Sequence, residues 1–515
     1  MKGLARRLSV ALALVLGAAL ITATSAFSAE QLVQISSDPY TNMTSNHKTE
    51  VEPDSFAFGN TIVAAFQVGR FFDGGASNIG FATSTDRGST WTHGFLPAST
   101  VFATPAGPFQ RASDPSVAFD AKHKVWLISW LGLHPLATGV VDVLVSRSTD
   151  GGLTWGAPVV VNASGDFNDK NWTRCDDTAT SPFFGHCYTE FDDFSKLNLF
   201  QMSTSKDGGL TWGAAKTNPS RTCVIGGQPV VQPNGNVIVP IDDCFETAIF
   251  SIMSTDGGKT WTDPVLVAQI INNGHPGAIR SPDLPSAQID KSGRVYVVWT
   301  DCRFEAFCAA PIGTNDLLLT SSADGIRWTL PKRIPAAAVG SGADHLLPGL
   351  GVDRNSSGGS ARLGLVYYFF PNSNCAVTTC ELNVRFISST DGGRSWSAAE
   401  TLAGPMTLTW LPLTTQGFMV GDYFATAIPP GRDVASPIFA VAKAPTPPPN
   451  CSNLKTGAPG QGCDQAMFTT PEGLLSLVGG SNAATEDVPV AAAPTAAPAA
   501  APGGTSRLTA RAIVQ

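Results

Sequence analysis

Apolar residues along this chain come in short runs. Six of them, at 53–58, 115–119, 172–175, 229–231, 285–289 and 348–352, are expected as inner strands that start near a proline. A second run follows each, at 61–68, 125–131, 185–191, 237–241, 295–300 and 363–370. A third leads into a tight turn, as at 76–83 and 141–146. Runs of this length, bounded by Gly, Pro, Asp and Ser, predict strands joined by tight loops. The 51 Gly and 37 Pro recur throughout, which excludes a coiled coil or a long helical bundle. The expected fold class is all-β.

The turns repeat. Ser84-Thr85-Asp86-Arg87-Gly88-Ser89-Thr90-Trp91 returns at 148–155, 205–212, 254–261 and 389–396, with a copy one residue shorter at 322–328. In S-x-D-x-G-x-[ST]-W the Asp carboxylate accepts backbone N–H bonds within the turn. The Gly supplies a left-handed backbone, and the Trp at the next strand's start packs back over the turn. The six aspartates lie 49 to 68 residues apart, room for four short strands per repeat. A further set follows the last turn, with strands expected at 423–427, 437–442 and 465–470 and no turn after them. Residues 31–36 would supply its missing fourth strand and close a ring.

These turns are those of the Asp-box, or BNR repeat, and the chain resembles the sialidase-like β-propeller superfamily over nearly all its folded length. The strand sets favour a propeller of seven four-stranded blades, with the six-bladed sialidase arrangement as the alternative; the resemblance implies that the six Asp-box turns lie on the rim, away from the active centre. Members that are sialidases set an arginine triad on the sialic-acid carboxylate. They use a Tyr nucleophile assisted by a Glu, and an Asp as acid/base. Their Phe-Arg-Ile-Pro motif is absent before the first box, and Arg333-Ile334-Pro335 falls on an expected outer strand.

The ends read differently from the middle. Lys2, Arg6 and Arg7 precede an apolar run at 8–21 and small residues to Ala29, the pattern of a signal peptide over 1–29. The propeller is expected over 31–476. Residues 478–515, rich in Ala and Pro, are expected to be a disordered tail. Ten cysteines in an exported chain predict disulfides between sequence neighbours: 175 with 187, 223 with 244, 302 with 308, 375 with 380, 451 with 463. The net charge is −8 and no basic stripe is present, so nucleic acid is excluded as a partner. No segment after the leader is apolar enough to span a membrane, and a secreted monomer is expected.

Chemistry is expected where the inner strands begin, because their entry loops form one mouth. Those positions carry Glu52, Asp54, Arg111, Asp114, Arg280, Asp283, His345, Asp422 and Tyr423. Convergent carboxylates with arginines suit an anionic glycan: acids for proton transfer, Arg for the charge. On the superfamily's pattern, Asp114 or Asp54 is the acid/base and Tyr423 the nucleophile. Arg111, Arg280, Glu52, Asp283, His345 and Asp422 are then the substrate-binding groups. The seven His are scattered, which argues against a transition-metal centre; a Ca2+ ion among the mouth carboxylates is left open. Two functions follow: a secreted glycoside hydrolase of the exo-α-sialidase type, or a non-catalytic propeller that binds glycan or protein.

Overall fold

The computed structural model describes residues 32–308, 313–446, 450–451 and 462–484. The expected signal peptide, Gln31 and the stretch 485–515 of the expected tail lie outside them. Within them the protein is all-β, and the only helical turns are short 3-10 segments such as Leu136–Thr138 and Leu408–Trp410. No helix there is long and apolar enough to cross a membrane.

Consecutive strands pair antiparallel, sheet after sheet, as the short apolar runs require. Val51–Phe58, Thr61–Arg70, Ala76–Ser84 and Thr92–Phe95 form the first set; Arg111–Asp120, Val125–Leu133, Val141–Ser148 and Val159–Asn162 the next. Asn168–Cys175, Ser286–Ile289 and Asp344–Val352 open later sets, with Val224–Ile225 and Val230–Val231 sharing one partner strand. The last set runs Ala425–Ala427, Val434–Ala442, Gln465–Thr469, and then takes Val33–Gln34 from the other end of the chain. Val33 faces Thr469 and Gln34 faces Phe468. The opening strands of successive sheets are neighbours, and Ala425–Ala427 lies against Val51–Phe58, so the series returns on itself around an axis. This is a propeller-type arrangement.

The repeated turns form as the sequence requires. In the second, Ser148 Oγ donates to Asp150 Oδ1 at 2.8 Å, and Gly152 N donates to Ser148 Oγ at 2.9 Å. Thr154 gives its N–H to Asp150 Oδ1 at 3.0 Å and its hydroxyl to Oδ2 at 2.6 Å. These donors hold the Asp150 carboxyl down at about 2.

The turns do more than fold on themselves. Each sits on the preceding sheet: Thr83 Oγ1 donates to Gly152 O at 2.6 Å, and Arg147 Nε to Gly208 O at 2.6 Å. Trp155 meets Phe81 of the preceding sheet at 5.8 Å, and Trp261 meets Phe200 at 5.6 Å. The expected packing over the turn is present as well: Trp91 Nε1 donates to Gly88 O and Trp328 Nε1 to Gly325 O, each at 3.1 Å. Trp155, Trp261 and Trp396 are buried between sheets, and Trp91, Trp212 and Trp328 are half-buried. Most outer strands also begin later than the Trp, because prolines such as Pro158 and Pro264 intervene.

All five neighbouring cysteine pairs are bonded. Asn482–Ala483, in the range read as the start of the tail, pairs with Ser395–Trp396 at the last turn. Ordered structure therefore continues past 476.

Candidate functional site at the axis

The inner strands share a local device. Register breaks between Val51 and Asp54, Ser113 and Ser116, Asp169 and Trp172, and Leu346 and Gly349. Inside each break one residue takes a left-handed backbone: Glu52 (φ 54°), Asp114 (47°), Lys170 (47°) and Leu347 (50°). A β-bulge of this kind re-aims a side chain and bends the strand. Here it turns four side chains toward the axis at a cost in backbone strain.

Links between neighbouring inner strands extend the equivalence. Asp54 Oδ2 accepts from Val117 N (2.7 Å), Ser116 Oγ from Thr173 N (2.9 Å), Gln228 Oε1 from Ala287 N (2.8 Å) and Ser286 Oγ from Leu350 N (3.0 Å). Thr426 Oγ1 donates to Gly349 O at 2.8 Å. Counting back from these bonds places Gly226, Leu284 and Tyr423 at the same station as Glu52, Asp114, Lys170 and Leu347. One station per inner strand thus carries charge on one side of the axis and apolar or aromatic groups on the other.

Lys170 is the hub of the charged side. Its Nζ lies 2.6 Å from Asp422 Oδ2, 3.4 Å from Asp114 Oδ2 and 3.8 Å from Glu52 Oε1. Asp422 is also gripped by Arg280, with Nε 2.6 Å from Oδ1 and Nη2 on Oδ2. Glu52 Oε2 accepts from Gln67, whose Oε1 in turn accepts from Arg70 Nη1 at 2.8 Å. Arg70 Nε and Nη2 and Arg280 Nη1 are buried without a hydrogen-bond partner among the described residues.

The environment drives these carboxyls apart. Burial, with Asp114 and Asp422 close by, pushes Glu52 up to about 8. Burial, with Asp114 again close by, raises Asp169 to about 7. Asp422 is held far below the ordinary range: Arg280 and Lys170 outweigh its burial. Lys170, ringed by acids, is held firmly protonated despite burial, while burial and the neighbouring Arg280 bring Arg70 down to about 10. A neutral carboxyl beside a permanently ionised one is the pairing that acid–base chemistry uses.

Of the expected site residues, Glu52, Asp114, Arg280 and Asp422 come together here, and Tyr423 stands beside them. Its hydroxyl donates to Pro115 O at 3.1 Å, its ring meets Trp172 edge-on at 5.0 Å, and burial raises the phenol well above its usual value. The others do not join. Asp54 spends one oxygen on Val117 N and faces Arg174 at 3.8 Å. Arg111 is turned outward onto Asp73 at 2.6 Å and lies over the Phe71 ring. Asp283 accepts from Asn272, and His345 is anchored by Nδ1 on Asn315 O at 2.8 Å, with burial lowering it to about 4. One cleft holding all nine is thus corrected to a buried cluster flanked by a narrow crevice, lined by Lys170, Asn171, Trp172, Gly226, Gln228, Leu284 and Tyr423. Many of the nine lie within strands, where pairing fixes which face each presents.

Lys170 and Gln67 were not singled out as site residues from the sequence, and Arg70 was read there only beside Arg303 and Arg174, as a candidate third arginine of a triad with Arg111 and Arg280. Lys170 had a readable signal, since it precedes its inner strand as Glu52 and Asp114 precede theirs. Arg70 and Gln67 sit at the end of a second strand, where only the fold brings them inward. Among the described residues, no group of three or more His, Cys, Asp or Glu is arranged to hold a metal ion. At the axis the Lys170 ammonium already sits among three carboxyl groups.

Sheets arranged around an axis, turned by a repeated Asp-centred motif and closed on a charged centre, define a repeat-built propeller-type protein. The chain matches the BNR repeat-like domain over residues 60–338 and belongs to that family. It is 27% identical over 216 residues to a sialidase of Bacteroides fragilis, covering 36% of this chain and 37% of that one. It therefore spans little more than a third of that relative's length. Among solved structures it is similar to a Hadza microbial sialidase (18% identity, 62% of this chain and 64% of that one, TM-score 0.44). It is also similar to the Trypanosoma rangeli sialidase in complex with sialic acid (14%, 70% and 57%, 0.43). A third similar structure is an ulvan lyase of a new polysaccharide lyase family (11%, 85% and 96%, 0.47).

Proposed function

We propose that this protein is a secreted, seven-bladed, sialidase-like propeller that hydrolyses an anionic glycan at its axis. The observation that carries the reading is the pair Arg70 and Arg280. Both are buried, both have guanidinium nitrogens without hydrogen-bond partners among the described residues, and both stand beside a carboxyl, Glu52, that keeps its proton near neutral pH. Two such forks suit one sugar carboxylate. Glu52 gives its proton to the leaving oxygen, and Asp114 next to it takes the phenol proton of the attacking Tyr423; water then splits the glycosyl–tyrosine bond, its proton going to Glu52 and that of Asp114 back to the tyrosine oxygen. Tyr423, at the same station as these two, is the nucleophile; it must give up its bond to Pro115 O when it attacks. Asp422 acts as the fixed anion that orients Arg280 and Lys170. The family match, the disulfides and the leader-like start support the wider reading, as do the closure by Val33–Gln34 and the circling inner strands. The expected signal peptide at 1–29 and a monomeric state are part of this proposal.

A second reading is favoured by one observation: the axial charges largely satisfy each other and are buried. A propeller that binds glycan or protein without turnover needs no more. The test is a screen of purified protein against aryl sialosides, aryl uronosides and neutral aryl glycosides. Turnover that is lost in Glu52→Gln and restored in no other glycoside class supports hydrolysis of an anionic glycan. No turnover with any of them, alongside binding on a glycan array, would replace the enzyme reading with the second.

A further inference from the structure

The axial groups are shut away from solvent: Arg70 is 0% exposed, Glu52 1%, Asp422 2% and Arg280 3%. A sugar cannot touch them while this state persists. What crosses near them is a piece of chain that joins no large sheet. Between Thr407 and Ala425 the backbone makes the turn Leu408–Trp410 and then a small hairpin, Leu413–Thr414 with Gly417–Phe418. The chain on both sides is anchored, because Leu411, Met419 and Val420 are buried. Within the hairpin Thr414 is buried and Phe418 packs on the core, Leu413 and Gly417 are half-buried, and Thr415 and Gln416 at the tip are exposed.

The tip is held by a few contacts to loops of two other sheets. Thr415 N donates to Phe72 O at 3.0 Å, in the loop that follows Arg70. Arg280 N donates to Phe418 O at 2.7 Å, and Phe418 bridges Ile279. Gly417 lies so flat on this loop that a Cβ there would come within 2.3 Å of Ala278 O. On leaving the hairpin the chain passes Val420, whose carbonyl accepts from Glu52 N at 3.3 Å, and reaches Asp422. The same few residues therefore touch the backbones that present Arg70, Arg280 and Glu52. Segments that open in service are held by few hydrogen bonds beside firm anchors, and the tip bond of exposed Thr415 to Phe72 is of that kind.

We propose that the hairpin 413–418 is a lid over the axial site, and that it lifts off Phe72 and Ile279–Arg280 to admit a glycan. This rests on the reading of the axis as a glycan site. Opening breaks the bonds at Thr415 and Arg280, leaves Leu411, Met419 and Val420 seated, and bares Arg280 and Asp422.

The experiment joins the lid to its seat. Phe72→Cys with Thr415→Cys places two sulfurs on backbones already hydrogen-bonded to each other, close enough for a disulfide. The oxidised double variant is compared with each single variant and with wild type under the same mild reductant. Turnover of the best substrate from the glycoside screen is expected to fall at least tenfold when the link forms and to return on reduction. Wild type is expected not to change. Hydrogen exchange on the unmodified protein gives a readout independent of turnover. The amides of Thr415 and Arg280 are expected to exchange at least a hundredfold faster than those of Leu363–Phe370, and to slow in the linked form. Full turnover with the link closed, or lid amides as protected as that strand, overturns the lid. Fast exchange in a protein that cleaves no glycoside overturns the glycan reading and leaves a mobile hairpin over a site of another kind.

Discussion

Lys170 shows how one side chain sets the character of the axis. Its ammonium faces Asp422, Asp114 and Glu52 in a place with almost no water. Removing one partner of a buried ionic group leaves the others uncompensated, which typically costs about 3–5 kcal/mol. Lys170→Met is therefore expected to lower stability by about that amount, read by chemical denaturation. The loss should be larger at pH 8 than at pH 5, because at the lower pH Glu52 and Asp169 carry protons and need no cation. Lys170→Arg should recover part of it by keeping the charge. An equal loss at both pH values would mean that Lys170 serves packing alone. For Tyr423→Phe, the missing bond to Pro115 O is expected to cost only about 0.5–1.5 kcal/mol. Turnover should vanish if the hydroxyl attacks, so the variant separates a catalytic from a structural tyrosine.

Among the elements, the repeated turns act as clamps between sheets. Trp155 is buried against Phe81 of the sheet before it. Trp155→Ala is expected to cost roughly 3–5 kcal/mol, as large aromatic truncations do, measured by urea titration. A loss under about 1 kcal/mol would show that the clamp is decorative. The turns were legible in the sequence because their chemistry is local: Ser148, Asp150, Gly152 and Thr154 bond one another within a few residues. The disulfides were legible for the same reason. What the turns pack on was not, since Phe81 is far from Trp155 in sequence. The site divides likewise. Glu52, Asp114 and Asp422 could be read because they precede inner strands. Arg111 and His345 occupy comparable places, yet pairing turned Arg111 outward to Asp73 and seated His345 on Asn315.

At the scale of the whole molecule, the buried acids fix how stability follows pH. Burial lifts Asp54 to about 6, Asp169 and Asp177 to about 7 and Glu52 to about 8, and raises Glu190, Asp192 and Asp242 strongly. An unfolded carboxyl releases its proton near pH 4. Between that point and its folded value, such a group holds a proton in the folded chain only, so stability falls as pH rises. Asp422 and the turn aspartates go the other way: their folded values are depressed, and their contribution is lost as pH falls below about 4. Thermal melts are therefore expected to give a higher Tm at pH 5 than at pH 8, and a fall again below pH 4. A Tm that rises steadily from pH 5 to pH 8 would contradict the burial of these acids.

The pairing of Val33–Gln34 with Gln465–Thr469 has a consequence for how the protein is made. Val33–Gln34 leaves a ribosome or a translocon with no partner until more than four hundred further residues have followed it. Through all that time both ends of the incomplete series present unpaired strand edges, which invite association with other chains. Synthesis interrupted before residue 465 therefore yields an open, adhesive intermediate rather than a smaller propeller. A series of stalled chains of increasing length should stay protease-sensitive throughout and become resistant in a single step, when the last sheet emerges.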